Sequence, residues 1–332
     1  MSKNLTCLSC SLILCCLLGF EGFAQSGFHL AQRFKIPSGG GWDYISVFKG
    51  RIYASHGGQV NVLNEKTGDS VGVIPNTLGV HGIAFDAAGH GFTSNGRLNT
   101  ITEFDQKTND TIGQIPVGQG PDAIMFDSYS GKIITCNGRG HDLSLVDPAS
   151  RKVVATIPVG GKPETAVSDG AGKLYVNIED KSQIDVVDLA SNQVKQSWSL
   201  APGEGPTGLE IDRKSMRLFA GCDKMLIVLN ARDGKLVANI PIGDGCDGVG
   251  FDNNLHYVFA SCGEGTLSVI EEKSADSFQL LEKVPTQRSA RTIAVDESNH
   301  EVFLPAAEMQ AAPAGERPRM VPGTFQILVI SR

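Results

Sequence analysis

IPVGQGPDAIMFD, from Ile115 to Asp127, and IPVGGKPETAVSD, from Ile157 to Asp169, are two copies of one phrase set 42 residues apart. Each joins an apolar strand end closed by proline, a glycine-rich loop, and a second apolar run that stops on aspartate. Repetition of this kind decides a fold before any motif does. Outward from these copies, apolar segments ending in proline recur at Ile36-Pro37, Ile74-Pro75, Ala201-Pro202, Ile240-Pro241 and Val284-Pro285, so that the seven prolines are spaced by 38, 41, 42, 44, 39 and 44 residues.

A second column ends the runs after the loops: GIAFD at Asp86, AIMFD at Asp127, TAVSD at Asp169, GLEID at Asp212, GVGFD at Asp252 and TIAVD at Asp296, with DYISV as a first copy lacking the acid. A third column falls at Asn64, Asp105, Asp147, Asp188, Asn230, Glu271 and Ser331, with steps of 41, 42, 41, 42, 41 and 60. Each unit holds four short runs rich in Val, Ile, Phe and Tyr between turn residues such as Gly131-Lys132 and Asp233-Gly234. No 3.6-residue apolar period runs through them, so the units are strands rather than helices. Four strands in roughly 40 residues make one propeller blade. The expected fold is all-β: a seven-bladed β-propeller.

The ends of the chain predict how the ring closes. The last unit stops at its third strand, Phe325 to Arg332, while Phe28 to Ile36 reads as a fourth strand with no preceding three. An N-terminal strand that completes the last blade explains both and removes exposed edges. The final step of 60 places an inserted loop over 305–323, where Pro313, Pro318 and Pro322 oppose a continued ladder. Length alone would allow two domains, but the repeat makes 25–332 one propeller.

Ahead of it, Lys3, the apolar run Leu12 to Phe20 and the small residues Gly22 to Ala24 read as a signal peptide over 1–24, with a mature start near Gln25. The run is broken by Gly19, Glu21 and Gly22 and falls short of a membrane span. A periplasmic or secreted monomer with no transmembrane segment in its mature part is expected. The formal charge of −7 survives removal of Lys3 and Glu21 and argues against non-specific nucleic-acid binding. Four cysteines lie in the signal, leaving Cys136, Cys222, Cys246 and Cys262 in a compartment that permits pairing. If Asp252 opposes Tyr257 in a hairpin, Cys246 falls within one position of Cys262, which makes a cross-strand disulfide between them reasonable. Cys222 with Cys246 is the alternative pairing, and Cys136 reads as a buried thiol.

The repeat text resembles the YVTN-repeat propellers. The strings WDY at Trp42, TSNGR at Thr93, NIEDKS at Asn177, TQRSART at Thr286 and PGTFQILVI at Pro322 resemble an exported, YncE-like branch of them. The resemblance covers essentially the whole mature chain and implies an exported seven-bladed propeller, without implying a reaction or ligand. Related sequences often carry Cys where this chain has Gly203, so the resemblance supplies no partner for Cys222.

Counting back five residues from each aspartate of the second column, with Phe48 as its equivalent in the first copy, collects Asp43, His81, Asp122, Glu164, Thr207, Asp247 and Arg291 at one height around the channel mouth. Exits of the second strands add His56, Asn95, Asn137, Asn177, Cys222 and Cys262, followed by Arg97, Arg139, Glu179 and Glu308. Convergent polar groups in a concavity are the default ligand site. The plainer reading is hydrated loop ends whose Asp and Asn residues cap turns. Arg97, Arg139, Arg288 and Arg291 can clamp an anion or pair internally with Asp122 and Glu164. His56 and His81 read as hydrogen-bonding histidines rather than metal ligands beside Asp43, and no cofactor is expected.

No GxSxG elbow, HExxH or P-loop occurs. The leading functional reading is therefore a binding or scaffold protein that holds a small ligand or a periplasmic protein at the mouth. A lactone or ester hydrolase using His56 or His81 as general base near Asp43 is the rival. A docking subunit for a periplasmic redox enzyme is a third possibility, with the redox centre in the partner because no CxxCH occurs.

Overall fold

The computed structural model describes residues 27–311 and 318–332; the signal reading and its cysteines lie outside them. Among the described residues the chain forms seven four-stranded antiparallel sheets, arranged as the blades of a propeller. Blade 1 runs from Trp42–Phe48 to Ser70–Ile74, blade 2 from Val80–Phe85 to Thr111–Pro116, and blade 3 from Pro121–Asp127 to Lys152–Pro158. Blade 4 runs from Pro163–Ser168 to Gln193–Ser199, blade 5 from Leu209–Asp212 to Leu236–Pro241, and blade 6 from Cys246–Asp252 to Ser277–Pro285. Blade 7 is built from Ala294–Asp296, Glu301–Ala306, Gln326–Ser331 and, outermost, His29–Lys35. The N-terminal strand closes the ring, with His29 opposite Ser331 and Lys35 opposite Gln326.

Both acidic columns of the repeat have one local cause. Each aspartate of the second column receives backbone N–H groups from the turn after the innermost strand: His90 to Asp86, Ser130 to Asp127, Lys173 to Asp169, Lys214 to Asp212, Leu255 to Asp252 and Ser298 to Asp296. Asn64, Asp105, Asp147, Asp188 and Asn230 do the same for the turn after the third strand. A short carboxylate or amide replaces the backbone acceptor a tight turn lacks, which is why these residue types recur there. After the third strand's turn, a bulge recurs in blades 1 to 6, between Val62 and Leu63, Glu103 and Phe104, Leu145 and Val146, Val186 and Val187, Val228 and Leu229, and Val269 and Ile270. The added twist is what such bulges supply.

Apolar side chains pack between neighbouring blades. Tyr53, Val60, Val62 and Ile74 of blade 1 meet Val80, Ile83 and Phe104 of blade 2 in one buried cluster. At one register position six blades pair two branched aliphatics, such as Ile52 with Leu63 and Leu218 with Leu229. Blade 2 instead pairs Gly91 with Phe104. A Cβ on Gly91 would stand 2.0 Å from the buried Phe104 ring, so Gly91→Ala is expected to cost about 1–3 kcal/mol by overpacking. Thermal unfolding checks this, and Phe104→Leu should recover most of the loss. An equal cost of Gly91→Ala in both backgrounds would count against this packing.

The inserted loop carries a small ladder of its own, Met309–Gln310 against Arg319–Met320, between two of the prolines expected to forbid one. Pro318 and Pro322 flank the second segment rather than fall within it, so the donors for this short ladder survive.

Candidate functional site

The mouth residues are aimed by bulges. In blades 1 to 4 and 6 the innermost strand slips register against the second strand between Trp42 and Ile45, Val80 and Ile83, Pro121 and Ile124, Pro163 and Ala166, and Cys246 and Gly248. Asp43, His81, Asp122, Glu164 and Asp247 sit inside those slips. A bulged residue leaves the alternation of the strand and its side chain is redirected, here toward the channel. Serines of the neighbouring strand repair the freed backbone: Ser55 Oγ accepts the Asp43 N–H at 3.0 Å and Ser94 Oγ accepts that of Gly82 at 2.8 Å.

Around the mouth these groups link into a chain. Arg291 of blade 7 pairs with Asp247 of blade 6 and reaches Asp43 of blade 1 at 3.4 Å. His81 of blade 2 meets Asp43 through Nδ1 at 2.5 Å and stands 3.6 Å from Asp122 of blade 3. On blade 4, Lys162 bonds both Glu164, at 3.1 Å, and Glu179. Thr207 is the exception, spending its hydroxyl on the Cys246 carbonyl at 2.7 Å. Asp43 is only 16% exposed, so these pairs are partly shielded from water.

Crowded, partly desolvated acids hold protons more tightly. Burial, with Asp43 adding to it, pushes Asp122 up to about 6 despite His81. Burial, and then the Asp122 charge, pushes Glu164 up to about 7. Burial disfavours a charged His81, but the Asp43 hydrogen bond and the surrounding carboxylates outweigh it and raise its pKa. The same competition raises Lys162 through Glu179 and Glu164. Beneath the acids, Tyr44 reaches from blade 1 toward Thr165 of blade 4 at 3.5 Å; burial and the charges of Asp122, Glu164 and Asp43 hold its phenol far above the usual range.

A cavity of about 440 Å³ opens beside His81, Asp122, Arg139, His141 and Lys162. Ligand atoms of Asp43, His81 and Asp122 lie within 4.8 Å of one another, a donor set able to hold a cation. Lys162 and Tyr44 were not among the sequence candidates. Lys162 lies two positions before the counted ring and Tyr44 one after it, so counting a single height passes over both.

The strand-exit residues of the second ring are buried, while Arg139 and Glu179 behind them reach the mouth. His56, Asn95, Asn137 and Asn177 are fully buried. Asn95 donates to Thr100 and Thr102, Asn137 to Asp142 and Ser144, and Asn177 to the Thr207 and Gly208 carbonyls. His56 is bonded to Ser38 at 2.6 Å and stacked on Phe325, and burial lowers its pKa. It is therefore separated from the mouth trio rather than joined to His81. The strand exits turn these side chains inward, where Thr and Ser hydroxyls accept from Asn95 and Asn137, while His56 Nε2 and Asn177 Oδ1 lack a partner.

The arginines do not converge as an anion clamp. Arg139 donates to the Gly96 carbonyl at 2.7 Å and to Asn99, bracing blade 3 on blade 2. Arg291 is taken by carboxylates. Arg97 is exposed and lies over Gly79. Arg288 lines a different cavity of about 390 Å³ with Ser289, Met309 and Gln310, and Glu308 is exposed on the inserted loop. Of the counted residues, the mouth thus gathers Asp43, His81, Asp122, Glu164, Asp247 and Arg291, with Arg139 beside its cavity and Glu179 held through Lys162.

Cys246 and Cys262 stand directly opposite in the sheet, because the bulge after Cys246 absorbs the one-residue offset of the simple count. All four described cysteines are buried thiols. The Cys246 and Cys262 thiols are in contact, which raises the pKa of Cys246 and lowers that of Cys262.

No helix among the described residues is long and apolar enough to cross a membrane. No family model matches the chain, and no curated protein sequence matches it. Among solved structures, Kuenenia stuttgartiensis hydrazine synthase superposes with a TM-score of 0.71 over 80% of this chain and 92% of that one, at 13% identity. At that identity the likeness is one of fold, and the fold it shares with this chain is the β-propeller.

Proposed function

We propose that this chain is an exported binding module of the YVTN-repeat kind, whose channel mouth holds a small polar ligand bearing a positive charge or several hydrogen-bond donors. One observation carries the reading: bulges on blades 1, 3, 4 and 6 bring Asp43, Asp122, Glu164 and Asp247 to one opening, where with Glu179 they outnumber the cations Arg139, Lys162 and Arg291 that stand beside His81 and His141. The buried Asp122 Oδ1 has no hydrogen-bond donor. A buried oxygen of that kind is costly unless a donor arrives.

Calorimetric titration with small primary and quaternary amines, beside a matched set of carboxylates, tests the reading. Amines should bind, and Asp122→Asn should weaken them about 10- to 100-fold, the worth of one charge-assisted hydrogen bond. Binding of carboxylates alone, or amine binding indifferent to Asp122→Asn, would overturn it.

The His81–Asp43 contact favours one second reading, hydrolysis with His81 as general base. Asp43 orients the imidazole as such a mechanism needs, but the same contact raises the His81 pKa, which favours the donating imidazolium over the base. Turnover of lactones that disappears in His81→Ala would support the hydrolase.

A further inference from the structure

On the face opposite the mouth, where the innermost strands end, a second group of ligating side chains lies outside everything described above. Asp212 ends the innermost strand of blade 5, while His256 and Glu272 belong to blade 6. Their ligand atoms lie within 4.8 Å of one another, at a cavity of about 310 Å³ that Ser215 also lines.

Glu272 sets this group apart from a surface acidic cluster. It is 6% exposed, and neither of its carboxylate oxygens has a hydrogen-bond partner. Asp212 and the Ser215 hydroxyl lie close enough to perturb it, and the Ser215 hydroxyl is itself buried with no hydrogen-bond partner. A native fold seldom leaves both oxygens of a buried carboxylate unmet, and two acids facing each other increase the cost. Lys214 and Lys273 also line the cavity but make no ion pair with Glu272, and Arg217 is spent elsewhere: its Nε donates to the Ala275 carbonyl at 2.6 Å, its Nη1 to the Ser215 and Met216 carbonyls, and its Nη2 to Asp276. Asp212 accepts from the Lys214 and Ser215 amides, which fixes its carboxylate in place.

We propose that Asp212, His256 and Glu272 bind one divalent transition-metal ion of the zinc type, which ties blade 5 to blade 6. Two carboxylates neutralise the dication, and the imidazole favours zinc-like metals over calcium or magnesium. Three protein ligands leave a fourth position for water from the cavity. Tetrahedral ligands at about 2.0 Å from zinc stand roughly 3.3 Å apart. The trio must therefore close by at most about 1.5 Å, within reach of side-chain rotation at the half-exposed His256. Binding displaces any proton shared by the two acids.

The experiment uses the full chain, stripped with a chelator, in the Asp43→Asn background so that the mouth trio does not contribute. Titration with zinc chloride should show one bound equivalent and a rise in thermal midpoint. Adding Glu272→Gln or His256→Ala should weaken binding by more than about 100-fold, more than loss of an outer-sphere partner costs. No zinc bound, or binding unchanged by both substitutions, would overturn the proposal. It would leave a proton shared by Glu272 and Asp212 as the occupant. Should the added substitutions fail to fold, anomalous scattering from zinc-soaked crystals of the unsubstituted protein decides the matter. A peak beside Glu272 sustains the site, and a peak confined to the mouth, or none, rejects it.

Discussion

A chain that begins at Ser38 is expected to lose its cooperative thermal unfolding transition. The segment removed contains the outermost strand of blade 7, whose ladder to Gln326–Ser331 joins the two ends of the described chain. Phe28 lies edge-on to Phe259 at 5.2 Å and beside Tyr257. Phe34 and Ile36 are buried with Ile45, Phe325, Ile327 and Val329. Loss of one buried aromatic costs about 3–5 kcal/mol, so losing Phe28, Phe34 and Ile36 together approaches the whole stability of a domain, about 5–15 kcal/mol. The bared strand would also offer its edge to other copies.

A graded version uses Phe34→Ala alone, which should lower the thermal midpoint by roughly 10 °C. The Phe34 ring also covers Gly68, where the φ of +71° disfavours a side chain and an added Cβ would stand 2.2 Å from that ring. Scanning calorimetry on both variants is the check. A truncated chain that melts like the intact one would mean the ring does not depend on its N-terminal closure.

Stability should also fall as the pH rises from 5 to 8, the reverse of a protein held by ordinary surface acids. Burial, and then the contact with Asp296, pushes Glu65 up to about 7 from an ordinary value of 4.5. Burial, with the Glu297 charge adding to it, does the same to Glu210, despite the hydrogen bond it accepts from the Ile211 amide and the nearby Arg213. The folded chain thus keeps protons that the unfolded chain releases near 4.5. Between that value and 7, unfolding sheds protons and stability declines with pH; it is fully present below and lost above.

Each such acid is worth up to about 3 kcal/mol at a shift of this size, and Glu164 and Asp122 at the mouth act in the same sense. Glu65 faces Asp296, Glu301 and Asn299. Glu65→Gln removes one of the acids that titrate and should flatten the slope, raising the midpoint most at pH 8. Melting curves at several pH values decide this. A wild-type midpoint that rises toward pH 8, or a slope unchanged by Glu65→Gln, would contradict it.

The extent to which the site was legible follows from what a count can see. Asp86 and its equivalents mark the same turn in six blades, with Phe48 at that position in the first, so stepping back five residues reached the mouth at Asp43, His81, Asp122, Glu164 and Asp247. The same arithmetic applied to strand exits reached Asn95 and Asn137, whose backbones stand near the mouth while their amides face inward to Thr and Ser rows. A strand-end position determines height, not direction. The cluster of Asp212, His256 and Glu272 escaped because its members come from different columns of two blades, and no single period visits all three.

Blade number, closure by the N-terminus and the acids that cap each turn were all written in the order of residues, because each depends on local backbone chemistry repeated at a constant interval. Which side chains meet across blades depended on the bulges, the twist they add and the space left by neighbours such as Gly91 and Phe104. Those contacts join residues far apart in the chain, and their energies exist only once the ring has closed and excluded water between its sheets.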